Sequence, residues 1–247
     1  MKLTVVGCGD AFGSGGRLQT CYHVDTGSGC FLIDCGATTL IGFNRLGLDF
    51  NAVETILISH LHGDHFAGVA WWLLHAQLVS KRTTPLTIAG PVGIEARFTA
   101  MAEALFPGST AVTRRFPLSF REYSAQQPIT IGPLVATAFE VRHPSGAPPY
   151  ALRIETAGRV LAFTGDTEWV DALIPAGRDA DLYIMECYGF DGDTRYHMNW
   201  RAIEQHLPAI GARRVLLTHM NAEMLRRAAE VTTPGVQIAH DGLVLDL

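Results

Sequence analysis

Short apolar runs recur along the chain, and most of them stop abruptly at glycine, proline or a residue with a reactive side chain. Lys2–Val6, Thr55–Ile58, Leu86–Ala89, Val160–Phe163 and Leu182–Met185 read as buried strands of this kind. Thr20–Val24 and Cys30–Ile33 flank Thr26-Gly27-Ser28-Gly29 and read as a hairpin. Between the strands the spacing changes. Phe66, Val69, Leu73 and Leu74 recur at helical intervals through about Leu78, Ala37–Leu46 reads as a helix ending near Gly47, and Val92–Leu105 as a helix closed by Pro107-Gly108. A further helix runs from Trp200 to about Leu207. Residues 110–140 alternate apolar and polar positions between prolines, which predicts several short antiparallel strands. The alternation of strand and helix gives an α/β chain. No linker or low-complexity tract divides it, so residues 1–247 are expected to form one domain.

The most informative corner is Leu57-Ile58-Ser59-His60-Leu61-His62-Gly63-Asp64-His65-Phe66. An apolar strand ends there in three histidines and an aspartate within six residues, and Gly63 allows a tight turn before a helix. That geometry points imidazole nitrogens and a carboxylate into one small space, a donor set suited to zinc, manganese or iron. The HxHxDH pattern, extended as Ser59-His60-Leu61-His62-Gly63-Asp64-His65-Phe66-Ala67-Gly68, resembles the metallo-β-lactamase superfamily and most of all its ribonuclease Z-like branch. Gly7-Cys8-Gly9-Asp10-Ala11-Phe12-Gly13-Ser14-Gly15-Gly16-Arg17 resembles the first loop of that branch, either a mobile glycine loop or part of the mouth of the site. Arg17 is the residue there that could meet a substrate anion, and the mouth of the site is expected around Arg17, Trp71 and Trp200.

Further matches follow in order along the chain. His143, in Phe139-Glu140-Val141-Arg142-His143-Pro144, falls at the third motif, and Asp166, in Thr164-Gly165-Asp166-Thr167, at the bridging aspartate. Leu216-Leu217-Thr218-His219 echoes Leu57-Ile58-Ser59-His60, as expected of two ββα-like halves facing each other. The resemblance therefore implies a four-layer αββα sandwich and two divalent ions. His60, His62 and His143 would hold one ion, Asp64, His65 and His219 the other, and Asp166 would bridge them. Asp34, in Asp34-Cys35-Gly36, is implied to support the histidine loop through hydrogen bonds without binding metal. Ions in such sites lie roughly 3.5–4 Å apart and share a bridging hydroxide that is available at neutral pH. His197, oriented by Glu186, matches the proton donor of the branch, so His197, Glu186 and Asp64 are the residues expected to carry the reaction. Two departures stand beside these matches. Asn199 replaces the usual threonine two positions after His197, and Met185 replaces a histidine before Glu186. An alternative for His197 is an ordinary neighbour of the following helix cap. The remaining histidines, His23, His75, His206 and His240, are read as structural.

Composition narrows the substrate. The net charge is −5, lysine occurs only at Lys2 and Lys81, and basic residues come at most in pairs, a weak footprint for gripping long nucleic acid. Hydrophobic residues make up 48%, enough for a sizeable core, yet no apolar run reaches membrane-spanning length. Five cysteines (Cys8, Cys21, Cys30, Cys35, Cys187) without a CxxC pair read as reduced core residues. The N-terminus enters a strand pattern without the layout of a signal peptide, so a cytoplasmic location is the expectation. A homodimer is expected from the resemblance only.

Relatives that process tRNA 3′ ends carry a long gripping insertion between the third-motif histidine and the bridging aspartate. Here His143 and Asp166 are 23 positions apart. The expectation is a phosphodiesterase acting on a small or cyclic phosphodiester. The alternatives are a tRNA 3′-end endonuclease, or a thioesterase, lactonase or arylsulfatase-like hydrolase on the same fold.

Overall fold

A computed structural model describes residues 1–247. The first half of the chain lays down β1 (Lys2–Gly7), β2 (Cys21–Asp25), β3 (Cys30–Ile33), α1 (Thr39–Leu46), β4 (Val53–Leu57), α2 (Gly63–Phe66), α3 (Gly68–Leu78), β5 (Leu86–Gly90), α4 (Ile94–Leu105) and β6 (Leu118–Glu122). The second half continues with β7 (Pro128–Ile131), β8 (Leu134–Glu140), β9 (Tyr150–Thr156), β10 (Arg159–Phe163), α5 (Leu173–Gly177), β11 (Leu182–Glu186), α6 (Trp200–Ile210), β12 (Val215–Thr218), α7 (Ala222–Arg227), β13 (Val236–Ile238) and β14 (Val244–Asp246). The strands form two seven-stranded sheets, ordered β14-β1-β2-β3-β4-β5-β6 and β13-β12-β11-β10-β9-β8-β7.

Three apolar clusters separate four layers. One lies between the sheets and joins Val5, Tyr22 and Leu57 of the first to Leu152, Phe163 and Ile184 of the second. Another packs α1, α3 and α4 on the outer face of the first sheet through Phe43, Ile56, Trp72 and Phe98. The third packs α5, α6 and α7 on the outer face of the second through Leu173, Met185, Trp200 and Met224. Successive side chains of a strand point to opposite faces, so neighbours serve different layers. Ile56 and Ile58 pack outward whereas Leu57 packs between the sheets. This double burial is why Thr55–Ile58 and Leu182–Met185 read as apolar runs in sequence. The expected αββα arrangement is what forms.

Each sheet combines antiparallel pairs with parallel ones: β3-β4-β5-β6 are parallel in the first, β10-β11-β12-β13 in the second. The expectation of antiparallel strands over residues 110–140 holds for β7 and β8 but fails for β6, which pairs parallel to β5. The chain changes sheet inside that segment. The periodicity cannot reveal this, because a strand alternates in the same way whichever sheet accepts it. The last strand, β14, returns to the first sheet and pairs with β1. No helix is long and apolar enough to cross a membrane.

Candidate metal centre

The loops that follow β4, β8, β10 and β12 meet at one end of the two sheets, outside the carboxyl ends of these strands. Ligand sites of open α/β sheets favour this place. His60, His62, Asp64 and His65 come from the first loop, His143 from the second, Asp166 from the third and His219 from the fourth. His60, His62 and His143 form one group able to hold a cation, and Asp64, His65, Asp166 and His219 form another. Asp166 stands between them. Its Oδ2 lies 3.9 Å from Nε2 of both His60 and His143 and 3.3 Å from Nε2 of His219, while its Oδ1 lies 3.2 Å from Nε2 of His65.

Hydrogen bonds at the back of the rings decide which nitrogen faces the centre. Asp34 accepts from the Ser59 backbone N–H and hydroxyl, both at 2.7 Å, and from His65 Nδ1 at 2.6 Å. The Ser59 hydrogen is thus committed to Asp34, so Ser59 Oγ accepts from His60 Nδ1 at 3.1 Å. His143 Nδ1 donates to the Tyr196 carbonyl at 3.1 Å. In all three rings the lone pair left over is on Nε2, directed inward. His62 faces the group through Nδ1, which lies 3.0 Å from His143 Nε2.

The loop that carries these residues is clamped from behind. Cys35 N donates to the His65 carbonyl at 2.7 Å and Gly68 N to the Cys35 carbonyl at 2.9 Å. A Cβ on Gly68 would sit 2.2 Å from the Gly36 carbonyl oxygen, so only glycine permits this approach. Asp34 and His219 both adopt left-handed backbone, with φ of 58° and 56°. Non-glycine residues at such angles concentrate where a structure must aim a side chain.

Four buried carboxylates, Asp34, Asp64, Asp166 and Glu186, crowd the centre. Burial alone would push them up, but the neighbouring imidazoles outweigh it for Asp64 and Asp166, whose carboxyls are held below the usual range. Burial pushes His60 well down, and His143 down to about 4, keeping both rings neutral. For His219 burial is overcome by Asp166, the Asp64 hydrogen bond and Glu186, which raise it to about 9. His65 is raised for the same reason by Asp166, Asp64 and Asp34. The buried anionic charge thus calls for cations, supplied either as protons on His65 and His219 or as metal ions. Unmet polar atoms favour ions: His60 Nε2, His65 Nε2 and Asp166 Oδ1 are buried without a hydrogen-bond partner. Buried polar atoms are seldom left so. The donor set and these aimed lone pairs fit divalent cations of the zinc, manganese or iron class.

Beside the centre, His197 Nδ1 is bonded to Glu186 Oε1, and Glu186 Oε2 accepts from the Thr167 N–H at 2.7 Å. Burial works against the imidazolium, but the hydrogen bond and charge of Glu186 raise the His197 pKa. Tyr188 stacks on the ring, centroids 4.6 Å apart. A cavity of about 200 Å³ opens over these groups, lined by His62, Asp64, His143, Asp166, His197, His219 and Tyr188, with Ala11 and Phe12 at its edge. Phe12 is 84% exposed.

The sequence therefore locates the cluster but misjudges its rim. Trp71 and Trp200, expected near the mouth, pack elsewhere: Trp71 sits edge-on to Phe106, and Trp200 is buried beneath the second sheet. Arg17 turns its guanidinium to Cys8 Sγ at 3.5 Å and does not line the cavity. Phe12 and Tyr188 were the missed residues. An aromatic inside a glycine-rich loop was the available signal for Phe12. Asn199 caps α6 by accepting from Ala202 N at 2.8 Å, which accounts for an amide at that position. The other histidines pack as read: His75 stacks on Phe50, His206 on Trp169, His23 meets Phe43 edge-on, and His240 is exposed away from the cavity.

Comparison with known proteins agrees with the fold. A family model described as "Anti-Pycsar protein Apyc1" matches residues 1–241. The probable metallo-hydrolase YhfI of Bacillus subtilis is 30% identical over 264 aligned positions, spanning 99% of each chain. The crystal structure of YhfI, a metallo-β-lactamase fold protein, superposes with a TM-score of 0.78 at 27% identity over 99% of each chain. A ribonuclease Z of Geobacillus kaustophilus is 26% identical over 81% of this chain and 80% of its own. The short form of human tRNase Z superposes with a TM-score of 0.81, covering 100% and 99% of the two chains, at 23% identity that speaks for the fold alone.

Proposed function

Because the chain belongs to the anti-Pycsar Apyc1 family and is a metal-dependent hydrolase of the metallo-β-lactamase fold, we propose that it is a dinuclear phosphodiesterase acting on a small or cyclic phosphodiester. His60, His62 and His143 would hold one cation, Asp64, His65 and His219 the second, and Asp166 would be shared; zinc is the first choice of metal. When bound, such cations supply Lewis acidity toward a phosphoryl oxygen and acidify water. The chain's own residues do the rest. Asp34, Ser59 and the Tyr196 carbonyl aim the histidine lone pairs, and the packed loops keep them aimed. His197, whose pKa burial lowers but the hydrogen bond and charge of Glu186 raise, gives the Nε2 proton to the leaving oxygen. Glu186 holds the ring and balances its charge, and the stacked Tyr188 limits its rotation.

The observation that carries this reading is the His197–Glu186 pair at the wall of the ligand-lined cavity. A hydrolase that expels an alkoxide needs such a donor, worth roughly 10²–10⁴ in rate. A cavity of about 200 Å³ suits a compact phosphodiester such as a cyclic phosphate. Only β9 and β10 occupy the space between His143 and Asp166, which leaves no insertion there to grip a folded RNA.

The test is a substrate panel: bis(p-nitrophenyl) phosphate, a nucleoside cyclic phosphate, precursor tRNA, and ester, lactone and sulfate analogues. The phosphodiesters turn over fastest, and His197→Ala slows them at least 100-fold with metal content retained. Preference for precursor tRNA would move the assignment to the ribonuclease Z activity named for relatives. Equal loss of metal and rate in the variant would make His197 structural.

A further inference from the structure

The segment between β11 and α6 contains a turn, Thr194-Arg195-Tyr196-His197, closed by a hydrogen bond from His197 N to the Thr194 carbonyl at 3.0 Å. Tyr196 occupies its third position with φ of 69°. Glycine is the residue that takes this conformation without cost, and tyrosine pays for it sterically. Two groups emerge from this strained turn toward the metal centre. The Tyr196 carbonyl accepts from His143 Nδ1 at 3.1 Å, and the next side chain is His197. Something has to hold the turn in place. The Tyr196 N–H is taken by Glu168 Oε2 at 3.2 Å, and Glu168 Oε1 pairs with Arg142 at 3.1 Å. Glu168 lies two residues beyond Asp166, and Arg142 immediately precedes His143. The guanidinium of Arg195 lies over the Tyr196 ring, 4.5 Å from its centroid, which covers the outer side of the turn.

We infer that Glu168 is a positioning residue: by accepting the Tyr196 N–H it keeps a left-handed turn formed, and the turn sets His143 and His197 in register with each other. Glu168 touches neither the cavity nor any of the seven donors. It acts through one backbone hydrogen bond, and the Arg142 ion pair is incidental because it is largely solvated. A residue that accepts this bond without charge should therefore serve as well. Removing the strain at Tyr196 should make the acceptor dispensable. The inference rests on the reading of His197 as proton donor for its kinetic part, but its structural part stands without it.

The experiment compares Glu168→Gln, Glu168→Ala, Arg142→Ala, Tyr196→Gly and the Glu168→Ala/Tyr196→Gly double variant, all as full chains loaded with zinc. Two readouts are taken: kcat and KM on the best phosphodiester of the panel, and the slowly exchanging ring N–H resonance of His143 by proton NMR. Glu168→Gln and Arg142→Ala retain wild-type kcat and the resonance. Glu168→Ala loses about tenfold in kcat at unchanged KM and melting temperature, and the His143 proton exchanges fast. The double variant recovers at least half of the lost kcat and the protected resonance, because glycine holds the turn unaided. Wild-type behaviour of Glu168→Ala, damage by Glu168→Gln as large as by Glu168→Ala, or no recovery in the double variant would each overturn the inference. If no panel substrate is turned over, the function reading fails while the His143 resonance still decides this one.

Discussion

Asp34 Oδ2 lies 2.6 Å from His65 Nδ1, and that contact determines which nitrogen of the ring faces Asp64 and Asp166. The carboxylate is fully buried and accepts three hydrogen bonds, two of them from Ser59. It therefore ties His65 to the residue before His60. Supporting groups of this type change metal affinity by roughly 10–100-fold when removed.

Asp34→Ala accordingly weakens binding of the ion assigned to Asp64, His65 and His219 by roughly 10–100-fold. Zinc titration against a chelator of known affinity measures it. Asp34→Asn keeps an acceptor for Ser59 N and loses less. Unchanged zinc affinity in both variants would remove Asp34 from this role.

Phe12 projects into solvent at the edge of the cavity, 84% exposed, where a buried-core role is excluded. Stacking on an aromatic substituent of the substrate contributes about 0.5–1.5 kcal/mol. Phe12→Ala therefore raises KM for aryl or nucleoside phosphodiesters about three- to tenfold while kcat and melting temperature stay near wild type. Dialkyl phosphodiesters, lacking a ring, show no such change. Steady-state kinetics on the two substrate types separates these outcomes.

Gly68 closes on Gly36 so tightly that a methyl group would meet its carbonyl oxygen at 2.2 Å. The obstacle is backbone on both sides, so neither neighbour yields cheaply. Gly68→Ala costs about 3 kcal/mol, at the upper end for overpacking. Urea unfolding of the metal-free protein measures the loss without a contribution from bound ions.

Asp181 sits at the start of β11, far from the cavity. It accepts from Val160 N at 2.9 Å and pairs with Arg159 and Arg213 at 3.0 and 3.2 Å. The Val160 hydrogen bond, then the two arginines, hold its carboxyl below the ordinary range. A depressed folded pKa contributes stability above the unfolded value, which is lost as pH falls through the folded one. Discounted for solvent around the arginines, the contribution is about 0.5–1 kcal/mol. Asp181→Asn thus lowers the melting temperature by roughly 2 °C at pH 7. The difference from wild type closes as the pH is taken below about 4. Calorimetry at several pH values follows it, and a difference that does not shrink as the pH falls below about 4 would contradict the charge explanation.

Much of the centre could be read along the chain because each donor ends a strand. His60, Asp166 and His219 each follow an apolar run that has to be buried, and burial of the run fixes where the next residues emerge. Period-two alternation and helical spacing are local properties, and they carried the strands and the helices, whereas the αββα expectation came from the resemblance borne by the histidine and aspartate motifs. Asn199 shows the limit of motif matching. Its departure from the threonine of the branch said nothing of its role, which is to cap α6.

The sequence by itself determined the donor types, their order and their delivery at strand ends, because these depend on neighbours a few positions away. Tertiary structure alone decided which donors meet. His219 and Asp64 are 155 positions apart and 3.2 Å apart in space. It also decided that β6 and β7 join different sheets, that Phe12 rather than Trp71 or Trp200 edges the cavity, and that a tyrosine in a left-handed turn sets His143. Such relations depend on how the two sheets face each other and on backbone carbonyls, which no side-chain pattern encodes.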